Sequence, residues 1–221
     1  MRIAMSSGHG LYVRGASGYL DEVNEARRVL AATAELMIAG GVETVTFNDD
    51  TSRTQSENLN RIVSWHNSQR RDYDVSIHFN AYQTTSAPRG TECLYVTQQT
   101  LAASMASGIA SAGTLINRGA KKRTDLSFLN NTSMPAILIE VAFVDSRADA
   151  DLYNANFEAI CAAIASALGA EAVIPPPVDP PPTEPPIEPP VEPEAPAKEV
   201  VVSIEAPEGV EVSVTINGEP R

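Results

Sequence analysis

The sequence predicts an α/β protein: a mixed, mostly parallel twisted sheet flanked by helices, then a proline-rich linker and a short C-terminal β segment. Three observations lead there. Ala136–Val144 is apolar at eight of nine positions with no period-two alternation, which is how a strand buried on both faces reads. Before it, short β-rich runs alternate with longer stretches of helical periodicity. Near residue 171 the composition changes, and twelve of the sixteen prolines fall within Pro175–Pro196. The expected domains are therefore a globular body at 1–171, a Pro/Glu-rich linker at 172–198 and a β-rich segment at 199–221. A body of that length can bury about 70% of its unfolded surface, enough for one self-sufficient core.

The elements follow in order. Arg2–Ser6 reads as a strand ending in the turn Ser-Gly-His-Gly, and Tyr12–Tyr19 as a glycine-rich loop. From Glu22 to about Ala39, Val23, Ala26, Leu30, Ala34 and Met37 recur at helical spacing, with Gly40-Gly41 as the stop. Val42–Phe47 alternates as a strand, and Thr54–Arg70 carries Leu59, Ile62, Val63 and His66 on one side of a helix. Val75–Phe79 and Thr91–Val96 read as strands, and Leu101–Ile116 as a small-residue helix. Gly119–Asn131 reads as a polar, basic stretch without an element. After Ala136–Val144 one helix is expected from about Ala148 to Leu168.

Charge and composition narrow the function classes. The net charge is −12, but residues 1–170 contribute only −3 and the tail −9, so the acidity says little about a site in the body. No basic footprint for nucleic acid exists. No apolar run approaches the ~18 residues of a membrane span. The first ten residues turn polar too soon for a signal peptide, so synthesis in a cytoplasm is expected. Cys93 and Cys161 lack Cys-x-x-Cys spacing and read as small buried hydrophobes. In the tail, the repeated Pro-Pro-x-Glu units form an extended spacer, and the alternating runs 199–204 and 210–216 form a ribbon too small to stand alone. That ribbon reads as part of a small β module that needs a partner: another copy of the chain in a homo-oligomer, the body of the same chain, or an outside surface.

Glu140, in the middle of the apolar strand, sits where an unpaired carboxylate costs several kcal/mol. It is either satisfied by a hidden partner or kept for chemistry. In a parallel α/β sheet, ligands gather at the carboxyl ends of strands. His9 and His78 both fall at such ends, beside small residues. Two histidines and a carboxylate leave one position open on a metal, the pattern of catalytic zinc. Glu140 on an adjacent strand would then be base toward water and acid toward the leaving group. The residues alone leave the carboxylate ligand open, because Asp21, Glu22 and Glu25 all crowd a helix start where acids are favoured anyway. His66 reads as structural, and no Ser/His/Asp or Cys/His nucleophile pattern emerges.

Four short motifs in order, Ser7-Gly8-His9-Gly10, Glu22 nineteen residues before Gly41, Ser76–Ala81, and Pro135–Val144, resemble the zinc-dependent N-acetylmuramoyl-L-alanine amidases of the amidase-3 family. The resemblance covers about residues 1–170. It implies that His9, Glu22 and His78 bind one Zn2+ ion, that Glu140 is the catalytic glutamate, and that the substrate is peptidoglycan. It also places Asn80, Lys121 of the basic segment Gly119–Arg123, and Asn131 as substrate-binding residues. Phe47-Asn48-Asp49 departs from the family's frequent Thr-Arg-Asp, which removes a strand-end arginine but no metal ligand. With the expected cytoplasmic synthesis, the resemblance implies a phage or prophage endolysin that reaches the wall after the membrane is breached. The alternatives are a zinc peptidase cutting within the stem peptide and a wall-binding protein without activity.

Overall fold

The structure is a computed structural model and describes residues 1–171, together with Glu208, which lies in a turn. The expected linker at 172–198 and β segment at 199–221, with its proposed oligomer contact, lie outside the described residues apart from that position.

The chain runs β1 (Arg2–Ser7), α1 (Glu22–Ala39), β2 (Glu43–Phe47), α2 (Gln55–Ser68), β3 (Tyr73–Asn80), β4 (Thr91–Tyr95), α3 (Gln99–Gly113), β5 (Asn117–Lys122), α4 (Ser127–Asn131), β6 (Ala136–Phe143), α5 (Arg147–Ala155) and α6 (Phe157–Ala167). The strands form one sheet in the order β2-β1-β3-β6-β4-β5. Every neighbouring pair is parallel except β4 and β6, which run antiparallel. The apolar strand β6 is thus central, as its composition requires.

Alternation along β6 sorts the sheet faces. Ile137, Ile139 and Val141 join the large core built with α1, α3 and α6. Ala136 and Leu138 join a smaller cluster with Ile62 of α2 and Phe128 and Leu129 of α4. Glu140 continues the second series and faces the α2–α4 side. The result is a three-layer sandwich with the larger core on one side. Among the described residues no helix is long and apolar enough to cross a membrane.

Helix starts are chemically marked. The Asp21 side chain accepts from the Asn24 N–H at 3.0 Å, and Thr54 and Glu57 form a reciprocal capping box at the start of α2. Helix α2 is pinned beneath the sheet by a fully buried network. His66 Nδ1 lies 2.6 Å from Asp74 Oδ1, and His66 Nε2 lies 2.9 Å from Ser6 Oγ. Arg71 closes the network by donating to both Asp74 oxygens. A neutral His66 that donates to Asp74 and accepts from Ser6 satisfies every member. A Ser-His-Asp alignment therefore does occur, but all three residues are 0% exposed, so it can meet no substrate.

Two expectations need correction. The stretch 119–131 is not free of structure. It contributes most of β5 and all of α4, so Glu140 lies in the sixth strand, where only four strands were expected before it. Strand β5 is an edge strand, and its exposed Arg118, Lys121 and Lys122 give the polar look that hid it. The single helix expected over 148–168 is two helices. Asn156 breaks it at φ −121°, while its side-chain amide donates to the Leu152 carbonyl at 2.9 Å.

Candidate active site

The carboxyl ends of β1, β3 and β6 bring the sequence-derived ligands together. His9 follows β1 by two residues, His78 lies in β3, and Glu22 is the first residue of α1. Their ligating atoms all fall within 4.8 Å of one another. Glu22 Oε1 lies 3.1 Å from His78 Nδ1 and 3.4 Å from His9 Nε2, and it also accepts from the Phe79 N–H at 3.2 Å. Its other oxygen accepts from the Ala16 N–H at 2.7 Å, which fixes the carboxylate plane. The two imidazoles meet edge to face, 5.1 Å between centroids.

The glycines of this edge are spaces for those side chains. A Cβ on Gly8 would collide with the His78 ring, and one on Gly15 would collide with the Glu22 carboxylate and the His9 ring. Behind the His9 loop, buried Asp49 accepts from the Thr51 and Ser52 N–H groups and from Asn58 Nδ2, while its carbonyl accepts from the Leu11 N–H. The Asn48 position, where the family-like arginine is absent, instead accepts from Ser7 Oγ at 2.8 Å.

Electrostatics favour a cation between these three groups. Burial alone would raise the Glu22 pKa, but hydrogen bonds and charge from His78 and His9 outweigh it and hold the carboxyl well below the usual carboxylate range. Burial also lowers the His78 pKa, with Glu22 opposing, so the imidazole is favoured in the neutral form that ligates metal. A buried carboxylate faced by two ring nitrogens is a donor set that fits Zn2+ by ligand type, with a position left for substrate. Manganese or cobalt can use the same donors.

Glu140 is paired in register with His78 across β3–β6, and its Oε2 is buried without a hydrogen-bond partner. Burial first, then the charges of Glu22 and Glu92, push its pKa up to about 8, with Arg123 opposing. It lines a cleft of 440 Å³ together with Gly8, His9, His78, Ser76, Arg123 and residues of α2 and α4. Nothing in the sequence singles out Glu92, although a charged residue inside the short strand Thr91–Val96 repeats the Glu140 signal. In the structure Glu92 pairs in register with Glu140 on the antiparallel strand. Asn80 donates to Glu92 Oε1 at 3.0 Å, and Arg118 and Lys121 reach its other oxygen at 2.7 and 3.8 Å. Asn80 and Lys121 thus meet at Glu92, beside the site. Asn131 lies at the end of α4, where its amide donates to Ser127 Oγ and its carbonyl accepts from Asn67.

The fold and the family can be read from known proteins. An uncharacterized 38.4 kDa protein of Clostridium perfringens is 33% identical over 159 residues, which is 70% of this chain and 46% of that protein. The chain thus spans about half the length of the curated relative it matches. Among solved structures, the catalytic domain of the CD27L endolysin targeting Clostridia difficile is similar at 24% identity and TM-score 0.67, covering 76% of this chain and 96% of that one. The CwlD amidase of Clostridioides difficile, solved with the GerS lipoprotein, is similar at 23% identity and TM-score 0.66, covering 76% and 95%. These likenesses show the fold. The N-acetylmuramoyl-L-alanine amidase model, Amidase_3, matches residues 3–170, and the chain belongs to that family.

Proposed function

We propose that this chain is a zinc-dependent peptidoglycan amidase that cuts the amide between N-acetylmuramic acid and the L-alanine of the stem peptide. The observation that carries the reading is the convergence of His9, Glu22 and His78 beside an unpartnered, buried Glu140. A bound zinc ion would supply a Lewis acid to polarise the lactyl carbonyl and acidify water. His9, Glu22 and His78 would hold it. Glu140 takes a proton from the attacking water as its oxygen bonds to the carbonyl carbon. It returns that proton to the nitrogen as the C–N bond breaks, leaving a lactyl carboxylic acid and an L-alanine amine, which then settle as carboxylate and ammonium by passing the second water proton between them. Asn80 and Lys121, meeting at Glu92, and Asn131 on α4 are proposed to contact the substrate beyond the reacting atoms.

Mass spectrometry of peptidoglycan digested by the zinc-loaded protein tests this. New L-alanine N-termini are expected. New termini inside the stem peptide would make the protein a peptidase, and intact walls beside tight wall binding would make it a binder without activity.

We also read the protein as an endolysin, held inside the producing host until the membrane is breached. The support is the similarity to the CD27L catalytic domain, although CwlD shares the fold equally well. Expressed in a bacterial cytoplasm, it should leave culture density steady until chloroform permeabilises the membrane, and then clear the culture. Cells that stay intact after permeabilisation count against this role.

A further inference from the structure

Three aromatic side chains are exposed among the described residues, and all three lie within four residues of a candidate metal ligand along the chain. Tyr12 is 50% exposed, Tyr19 44% and Tyr82 79%. Tyr12 follows His9 by three residues, Tyr19 precedes Glu22 by three, and Tyr82 follows His78 by four. At full extension that spacing keeps each within about 14 Å of a ligand backbone. The remaining tyrosines, Tyr73, Tyr95 and Tyr153, are buried or half-buried in the body.

These rings are held rather than loose. The Tyr19 N–H donates to the Val144 carbonyl at 2.8 Å and the Tyr82 N–H to Asp145 Oδ2 at 2.7 Å, so one turn after β6 anchors both. Each ring also has a guanidinium over it: Arg53 at 3.7 Å from Tyr12, Arg147 at 5.6 Å from Tyr19 and Arg89 at 5.0 Å from Tyr82. Arg89 is itself tied to the Gln83 carbonyl, and Arg147 to Asp151. A cation over one ring face fixes the ring and leaves the other face to solvent. Rigid tyrosines presented this way give contact area at little entropic cost.

The geometry points to a glycan-binding rim: we propose that Tyr19 and Tyr82, together with Tyr12, stack against pyranose rings of the peptidoglycan glycan strand. The proposal rests on the amidase reading, because there the scissile amide hangs from a sugar whose neighbours in the polymer must cross this edge. The C–H faces of pyranoses are apolar and match aromatic faces, while their hydroxyls match the tyrosine O–H and the flanking guanidinium groups.

The test compares two substrates on the full, zinc-loaded chain: polymeric peptidoglycan, and a single N-acetylmuramoyl-peptide without neighbouring sugars. Tyr19→Ala combined with Tyr82→Ala should raise KM on the polymer about tenfold, with kcat within twofold and both parameters unchanged on the small substrate. The paired Tyr→Phe variant should restore the polymer KM, because the ring carries the contact. Equal losses on both substrates, or no change on either, overturn the proposal. A direct arm titrates chitotetraose, a neutral glycan probe, into wild type and the double alanine variant. Chemical shifts at the rim that vanish in the variant support the proposal, and indistinguishable binding opposes it. This arm stands even if wild type cuts neither substrate, an outcome that sinks the amidase reading instead.

Discussion

At the scale of single residues, the proposed function divides the work of the site between Glu140, for proton transfer, and His78, for metal retention. Glu140→Gln keeps the shape but cannot carry a proton, so turnover should fall about 10²- to 10⁴-fold while zinc content by atomic absorption is unchanged. If Glu140 were only structural, the same change would alter the unfolding midpoint and leave turnover alone. His78→Ala should lose the metal itself. His66 offers a separate prediction, on stability. Burial lowers its pKa from 6.5, with Asp74 partly opposing and Arg71 adding to the fall. Below that pH the unfolded chain takes up the proton before the folded chain does, so this contribution is intact above about pH 6.5. It is lost as pH drops, by up to about 1.4 kcal/mol per pH unit. Urea unfolding at pH 7.5 and 5.5 should show the decline, and His66→Asn should flatten it relative to wild type. His9, His78 and Glu140 were legible in the sequence because histidine is rare here and a carboxylate in an apolar run is expensive. Glu22 was not legible from the residues alone. Three acids share that helix start, and only the fold shows which one meets both imidazoles.

Local elements carry the precision of the site. Gly8 and Gly15 are needed for the absence of a side chain, since a methyl on either would displace a ligand. Gly8→Ala should therefore leave circular dichroism and overall folding close to wild type. It should weaken zinc affinity at least tenfold by pushing the His78 ring aside, measured by competition with a chelator. Unchanged affinity would show that the ring has another place to go. No sequence pattern announces these steric roles, because the partners lie 70 and 7 residues away and meet only in the folded edge. Strand β5 and helix α4 escaped for a different reason. An edge strand needs only one apolar face and guards its open side with charge, so Asn117–Lys122 looks like loop by composition. Asn156 was hidden in the same way, since an asparagine in a helical run is common and only its backbone shows the break.

For the whole molecule, the charge distribution and the core describe one body that ends near residue 171. Leu168 is buried in the main core, and the Glu171 N–H donates to the Gly40 carbonyl, so the end of the body closes on α1. A chain ending at Glu171 should thus unfold cooperatively, bind one zinc and retain kcat on a small muramoyl-peptide. Loss of cooperative unfolding would show that the tail belongs to the fold. The sheet class and the central place of β6 were readable from the sequence, since apolar composition on both faces dictates a central position. The antiparallel turn of β4 was not readable, because orientation depends on the connection and not on the strand. That reversal is what sets Glu92 opposite Glu140.

The sealed alignment of Ser6, His66 and Asp74 bears on how the protein would be found in a crowded cell extract. Fluorophosphonate probes, which report serine hydrolases by covalent capture, will pass over it, because no path of solvent reaches the hydroxyl. A profile of such an extract would leave this protein unlabelled, while a chelating column or a hydroxamate bead should retain it.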